Sequence, residues 1–313
     1  MPLVSAARLS AWFYLRANYY TRLSGEIWGQ SNLYQRAKAY GLAATEFQRT
    51  VCRIIADNRI ASGESYVAGG TALNEALKAS RLSQDIDIFH DELQSLATSY
   101  TMDIAALEAA GYECDLIVNR LSFIECRVRN GSDAVILEWL QDSAFRFFPL
   151  QEHTDFGLAL HPFDLATNKV LALVGRLEVR DWIDVISCET SLQPLGYLAW
   201  AASGKDPGLS PLFILEQAHR SGRYTQIEID SLSFAGPRPD ATELARKWKR
   251  MLVEAQRVVE LLPAETVGSC VVDNEGELVK ATPSSLLALL RGSTVKYHSG
   301  KLRGSYPVIA PQR

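Results

Sequence analysis

Asp85 and Asp87, in the run Asp85-Ile86-Asp87-Ile88-Phe89, are the residues whose type and spacing first suggest chemistry. Isoleucines alternate with them, the period of an extended strand. Both carboxylates then lie on one face, about 6–7 Å apart along the strand, and Ile86 and Ile88 turn to the core. Hard oxygen ligands so placed suit Mg²⁺, which bridges nucleotide phosphates and stabilises the charge of an in-line displacement. About fifteen residues earlier a short strand, Tyr66–Ala68, ends in Gly69-Gly70, and Thr71 opens a helix to about Ser80. Glycine lets the backbone approach a ligand closely, and the free amides of a helix start attract phosphate. A Gly-Gly turn or an Asp-x-Asp strand is ordinary when met alone. Strand, glycine pair, helix and acidic strand in that order form a more specific signal. The chain lacks G-x-x-x-x-G-K-[ST], which argues against a P-loop site.

A second group of candidates lies downstream. The helix expected over Phe163–Leu177 carries an apolar stripe of Leu165, Ala166, Val170, Leu173, Val174 and Leu177, with Lys169 at its edge. An inward-facing lysine needs an anionic partner, a phosphate or a carboxylate; otherwise it snorkels to water. On the next helix, Arg180–Cys188, Asp181 and Asp184 share a face and could anchor Arg176 or Arg180. Glu138 is the acidic residue inside the apolar run Val135-Ile136-Leu137-Glu138-Trp139. His90, His153 and His161 sit at a strand end or a junction, where a lone histidine is incidental. No Ser/His/Asp or Cys/His nucleophile arrangement is visible, and an in-line displacement at phosphate needs none, because metals and positioning can do most of the catalysis.

The elements that must position these groups follow from periodicity. Residues 4–40 and 45–60 read as helices, the second with Phe47, Val51, Ile54 and Ile55 on one face. After the acidic strand, 91–110 reads as a helix. Three strands follow at Tyr112–Asn119, Phe123–Arg129 and Ala134–Trp139, with Asn130-Gly131 as a hairpin turn. Beyond about 160 the pattern is helical. It is interrupted by a Pro/Gly-rich stretch around 194–211 and followed by a long helix over 241–262 with a basic face of Arg246, Lys247, Lys249 and Arg250. Val271–Val279, around Asp273-Asn274-Glu275-Gly276, reads as a late hairpin.

Length and composition set the frame. The chain has 313 residues, 47% hydrophobic and 22% charged, which excludes wholesale disorder, a collagen-like fibre and a small disulfide scaffold. The net charge of −4 argues against bulk electrostatic nucleic-acid binding. It is unevenly spread, with +5 over residues 1–60, +5 over 282–313 and −14 between them. Five scattered cysteines without a C-x-x-C pair fit a reducing compartment. Arg8 and Arg16 interrupt the apolar N-terminus, and no apolar run reaches about 18 residues, so the expected setting is the cytoplasm, without a membrane span.

The motif Gly69-Gly70-Thr71-Ala72-Leu73, then Arg81-x-Ser83-x-Asp85-Ile86-Asp87, resembles the nucleotidyltransferases of the abortive-infection (AbiEii) type in the polymerase-beta-like superfamily. So does the downstream element Asp164-Leu165-Ala166-Thr167-Asn168-Lys169-Val170-Leu171-Ala172-Leu173, with Arg176 and Arg180-Asp181-Trp182-Ile183-Asp184-Val185. The resemblance covers roughly 45–190. It implies an α+β fold: a mixed sheet with flanking helices over 45–150, then a mainly helical domain over 151–265 that contributes Lys169 and Asp181. A helical extension over 1–44 and a hairpin with a basic tail over 266–313 complete the expected organisation. It further implies two Mg²⁺ ions and transfer of a nucleoside monophosphate from an NTP. Asp85 and Asp87 would bind metal with a third carboxylate from a neighbouring strand, Glu138 or, as its fallback, Asp142. Gly69, Gly70, Thr71 and Ser83 would face the nucleotide, Lys169 would contact phosphate, and Asp181 or Asp184 would be the acid of the last motif.

The resemblance also implies a toxin with a separately encoded antitoxin, the acceptor being the 3′ end of tRNA. The basic ends and the Arg246–Arg250 cluster could hold an RNA backbone. Competing readings keep the chemistry with a small-molecule or protein hydroxyl as acceptor, or make the chain a nucleotide-binding interaction module without turnover.

Overall fold

The computed structural model describes residues 44–308. The helical extension expected over 1–44 therefore lies outside the described residues, apart from Ala44. Helix α1 (Glu46–Ser62) begins at a reciprocal cap: Thr45 Oγ1 accepts from the Gln48 amide, and Gln48 Oε1 accepts from the Thr45 amide. It is followed by β1 (Ser65–Ala68), α2 (Gly69–Leu77), β2 (Arg81–Leu82), β3 (Asp85–His90) and α3 (Leu93–Ala109). Strands β4 (Glu113–Arg120), β5 (Phe123–Asn130) and β6 (Asp133–Gln141) are joined in antiparallel succession. Asn130 pairs with Asp133, so the two turn residues are Gly131 and Ser132, one position beyond the expected Asn130-Gly131, and Gly131 takes a φ of 61°, as the first residue of a Gly-led two-residue turn requires.

With β8 (Gln151–His153) and β9 (Gly157–Ala159), the main sheet has seven strands in the order β4-β5-β6-β3-β1-β9-β8. It is mixed, because β3 runs parallel to β6 and β1 parallel to β9 while the other pairs are antiparallel. Strands β7 (Phe145–Arg146), β8 and β9 are two or three residues long, too short for a periodic signal. Two of them carry the sheet past residue 150 to Ala159. Helices α1 and α3 pack on each other and on the sheet. From α3, the buried carboxylate of Asp103 accepts from Trp139 Nε1 at 2.9 Å and Asn58 Nδ2 at 3.0 Å, pinning β6 beside Glu138.

The helical part follows: α4 (Pro162–Arg176), α5 (Val179–Ser191), α6 (Leu195–Lys205), α7 (Pro211–Ala218), α8 (Gln226–Asp230) and, after the short β10 (Ser233–Phe234), α9 (Ala241–Leu261). The Pro/Gly-rich reading of 194–211 is corrected here, since most of that stretch is α6. Leu195–Ser203 are buried all round, between α4, α7, α9 and β11 (Ser269–Val272). A helix apolar on every face has no amphipathic period to read. Its glycines are packing surfaces, because a Cβ at Gly196 would meet Val258 Cβ at 2.7 Å and one at Gly204 would meet the Gly268 carbonyl oxygen at 2.2 Å. The late hairpin over Val271–Val279 is present but short, with the Val279 amide donating to the Val271 carbonyl and the Asp273 amide to the Glu277 carbonyl. Val272 and Leu278 form a single bridge around the Asp273–Gly276 turn. The strand β11 pairs along its length with β12 (Lys296–Ser299), beyond α10 (Pro283–Arg291). The chain then closes with β13 (Lys301–Leu302) against β7. Among the described residues, no helix is long and apolar enough to cross a membrane.

Candidate active site

Register across three strands builds the acidic centre. Ala68 of β1 pairs with Asp87 of β3, and Asp87 pairs with Glu138 of β6. Residues opposite one another share a sheet face, so Asp87 and Glu138 are brought side by side, with Asp85 two residues along. Asp85, Asp87 and Glu138 each present an oxygen within 4.8 Å of the others. Glu138 is fully buried, Asp87 is 3% exposed, and the Asp85 side chain is 13% exposed. Three carboxylates with one partly open side form an all-oxygen donor set that fits Mg²⁺. The fallback Asp142 lies at the other end of β3. Its amide donates to the His90 carbonyl, and its side chain lines a separate cavity with Tyr66, Arg146 and Lys205. Glu125, on β5 directly opposite Glu138 and 7% exposed, continues the acidic row. It alternates with Ile124 and Cys126 in sequence, but only strand register reveals its neighbour.

The Gly-Gly element shapes one wall. Gly69 has a φ of +66°, and a Cβ built there would lie 1.7 Å from Asp87 Oδ2. The backbone at Gly69 thus lies against the carboxylate, which no other residue permits. A Cβ at Gly70 would come 2.7 Å from Arg81 Nη2 and 2.9 Å from Ser83 Oγ. Helix α2 begins at Gly69 without a side-chain cap from Ala68, which leaves its first amides for an anion. Thr71 Oγ1 donates to the Asp85 carbonyl at 2.6 Å, and Ser83 Oγ donates to Asp85 Oδ1 at 3.0 Å. Gln48, from the first turn of α1, donates through Nε2 to the Ser83 carbonyl at 2.9 Å. Its part in holding this loop had no signal in the sequence beyond its place in a helix cap.

A buried ion-pair network joins the helices to this loop. Lys169 Nζ lies 3.0 Å from Asp181 Oδ1 and 3.2 Å from Asp184 Oδ2, with its side chain 9% exposed. The lysine therefore faces inward, held by carboxylates. Asp184 also accepts from Arg81 Nε at 2.6 Å and Nη2 at 2.8 Å, a fork that ties α5 to β2. Asp181 accepts from Arg176 Nε at 2.5 Å and Nη2 at 2.8 Å. Burial alone would raise the Asp181 pKa. The cations of Arg176, Lys169 and Arg180 overcome it and hold the carboxyl well below the usual range. Arg180 is 24% exposed, with Nε 2.6 Å from Glu178 Oε2 and Nη1 3.9 Å from Asp85 Oδ2.

The Asp181 shift has a testable sign. An unfolded aspartate titrates near ~3.9, and the folded value lies lower. Its contribution to stability is therefore complete above about pH 5 and is lost as pH falls through ~4 toward the folded pKa. Urea unfolding of wild type and Asp181→Asn should show a gap of about 3 kcal/mol at pH 7 that narrows below about pH 4. A gap of constant size from pH 7 to 2.5 would show that the carboxylate is not held ionised.

The other candidates have structural partners. His90 is buried, its Nδ1 3.3 Å from the Leu140 carbonyl, and burial lowers its pKa to about 4. His161 accepts from the Phe163 amide at the start of α4 and stacks on Phe148. His153 accepts from the amides of Asp155 and Phe156. On α9, Arg246, Lys249 and Arg250 are exposed, whereas Lys247 is partly buried and reaches the Ile186 carbonyl.

No protein-family model matches the chain, and no curated protein does. Solved structures of similar shape include JHP933 from Helicobacter pylori, at 16% identity and a TM-score of 0.43, covering 74% of this chain and 95% of that one. Another is MenT4, a nucleotidyltransferase toxin from Mycobacterium tuberculosis, at 14% identity and a TM-score of 0.41, covering 82% of this chain and 91% of that one.

Proposed function

We propose that the chain is a Mg²⁺-dependent nucleotidyltransferase of the AbiEii type that moves a nucleoside monophosphate from an NTP to an acceptor hydroxyl, the 3′ end of tRNA. One observation carries this reading: three carboxylates on adjacent strands converge within 4.8 Å beside a glycine turn that opens a helix. Asp85, Asp87 and Glu138 would hold Mg²⁺, which when bound neutralises phosphate charge and activates the attacking oxygen. Gly69, Gly70 and the amides of Thr71 and Ala72 would receive phosphate oxygens at the start of α2, with the Ser83 hydroxyl beside them. Lys169, oriented by Asp181 and Asp184, supplies positive charge to the phosphates. Arg81, clamped by Asp184, keeps the Ser83 segment against Gly70. The exposed cations of α9 suit a polyanionic acceptor. The toxin role and a separately encoded antitoxin follow from the sequence resemblance.

Incubation with each α-labelled NTP, Mg²⁺ and total tRNA tests this reading, with Asp85→Ala/Asp87→Ala as control. Label is expected in tRNA with wild type, at least about 1000-fold above the double variant, since loss of a metal site removes several kcal/mol of transition-state stabilisation. Label confined to protein or a small molecule would replace the acceptor. Tight NTP binding without any transfer would favour the binding-module reading.

A further inference from the structure

We propose that Arg180 guards the metal site: its guanidinium competes with a divalent ion for Asp85 and, once displaced, turns to the phosphate oxygens of the nucleotide. The inference rests on the transferase reading for the identity of the nucleotide, but the antagonism between Arg180 and the ion rests on geometry.

Among the described residues, Arg81, Lys169, Arg176 and Arg180 are the cations of the ion-pair network beside the centre. Arg81, Lys169 and Arg176 are all engaged by Asp181 or Asp184, whose side chains are fully buried. Moving any of them would leave a buried carboxylate undercompensated, which is costly. Arg180 differs. Its close partner is Glu178, whose side chain is 30% exposed, and it is itself 24% exposed. A pair with that partial exposure holds less firmly than the fully buried ones. Its Nη1 stands 3.9 Å from Asp85 Oδ2, the most exposed of the three carboxylates that could hold metal. A positive charge at that distance opposes a divalent ion at the same oxygen.

Position completes the case. Arg180 lies in the first turn of α5, one residue before Asp181, so the network that fixes Asp181 also fixes the base of the Arg180 side chain. Its origin is held, and the torsions beyond Cβ are left to redirect the partly exposed head. A guanidinium displaced from Asp85 stays within reach of the phosphates and can bind two of their oxygens at once. Arg180 would thus restrain metal binding before the nucleotide arrives and favour it afterwards, which makes ion and nucleotide binding cooperative.

The test is Mn²⁺ binding to the full chain without nucleotide, followed by electron paramagnetic resonance. Arg180→Gln should bind Mn²⁺ about three- to tenfold more tightly than wild type, and Arg180→Lys, which keeps the charge, should stay within about twofold. Affinity for each NTP, measured with Ca²⁺ to block turnover, should fall about tenfold or more in Arg180→Gln. Arg180→Met, which keeps the apolar stem, stands in if the glutamine variant does not fold. Mn²⁺ affinity equal to or weaker than wild type in a folded, charge-less variant overturns the proposal. So does equal tightening in Arg180→Lys, which would make the effect steric. Failure of the transferase reading has a separate signature: wild type binds Mn²⁺ and NTP yet transfers no label, while the antagonism with Arg180 persists.

Discussion

Alanine at Gly69 should lower Mn²⁺ affinity, and with it the proposed nucleotide transfer, at least about 100-fold. The added Cβ would lie 1.7 Å from Asp87 Oδ2, 2.5 Å from its Cγ and 3.0 Å from its Cβ, so the carboxylate itself must leave. The Asp87 backbone cannot give way, because it is held in the sheet between Ala68 and Glu138, so the clash is relieved only by rotating the carboxylate out of the site. The φ of +66° adds roughly 1–2 kcal/mol of backbone strain. Gly63→Ala separates the two causes. Gly63 has a φ of +65° with no atom within 4 Å of its Cβ position, so it carries strain without collision. Its variant should lose about 1 kcal/mol of stability and keep wild-type Mn²⁺ affinity. If Gly69→Ala retains half of the wild-type Mn²⁺ affinity, the close approach to Asp87 is not as described.

Removing Asp184 should produce the largest loss of stability. Its carboxylate lies between the Arg81 guanidinium and the Lys169 ammonium, and all three side chains are buried. Asp184→Ala leaves Arg81 without its fork and Lys169 with Asp181 alone. Breaking a buried pair from one side costs about 3–5 kcal/mol, a large fraction of a domain's total. Urea unfolding at pH 7 should show that loss. The double variant Arg81→Leu/Asp184→Leu should lose less than the sum of its two single changes, because it removes the uncompensated charge along with its partner. A loss below 1 kcal/mol in Asp184→Ala would mean that water already reaches the pair. The proposed transfer activity should fall in step, since Arg81 keeps Ser83 beside Gly70.

The Asp85/Asp87 strand was legible because alternation along a strand is a local property, and a period of two puts i and i+2 on one face. The glycine pair, the turn around Gly131 and the amphipathic helices α1, α4 and α9 were legible for the same reason: each is written within a few consecutive residues. Helix α6 was not, because burial on every side erases the period. Strands β8 and β9 were not, because three residues carry no pattern.

The site divides along the same line. Local sequence placed Asp85 and Asp87 on a common face and set Lys169 at the rim of an apolar stripe, where an anionic partner and exposure to water were both open. The choice of carboxylates depended on contacts distant in sequence. Parallel pairing of β3 with β6 sets Glu138 opposite Asp87 and sends Asp142 to the far end. Antiparallel pairing of β5 with β6 adds Glu125 to the row. Packing of α4 against α5 supplies Lys169 with two carboxylates in place of water, and Arg81, about a hundred residues from Asp184, closes the fork. A shift of one residue in strand register would turn Glu138 to the other face and leave the aspartates without it. Register is settled by the fit of whole faces across the core. The sequence therefore specifies which groups can act, and the folded sheet specifies which of them meet.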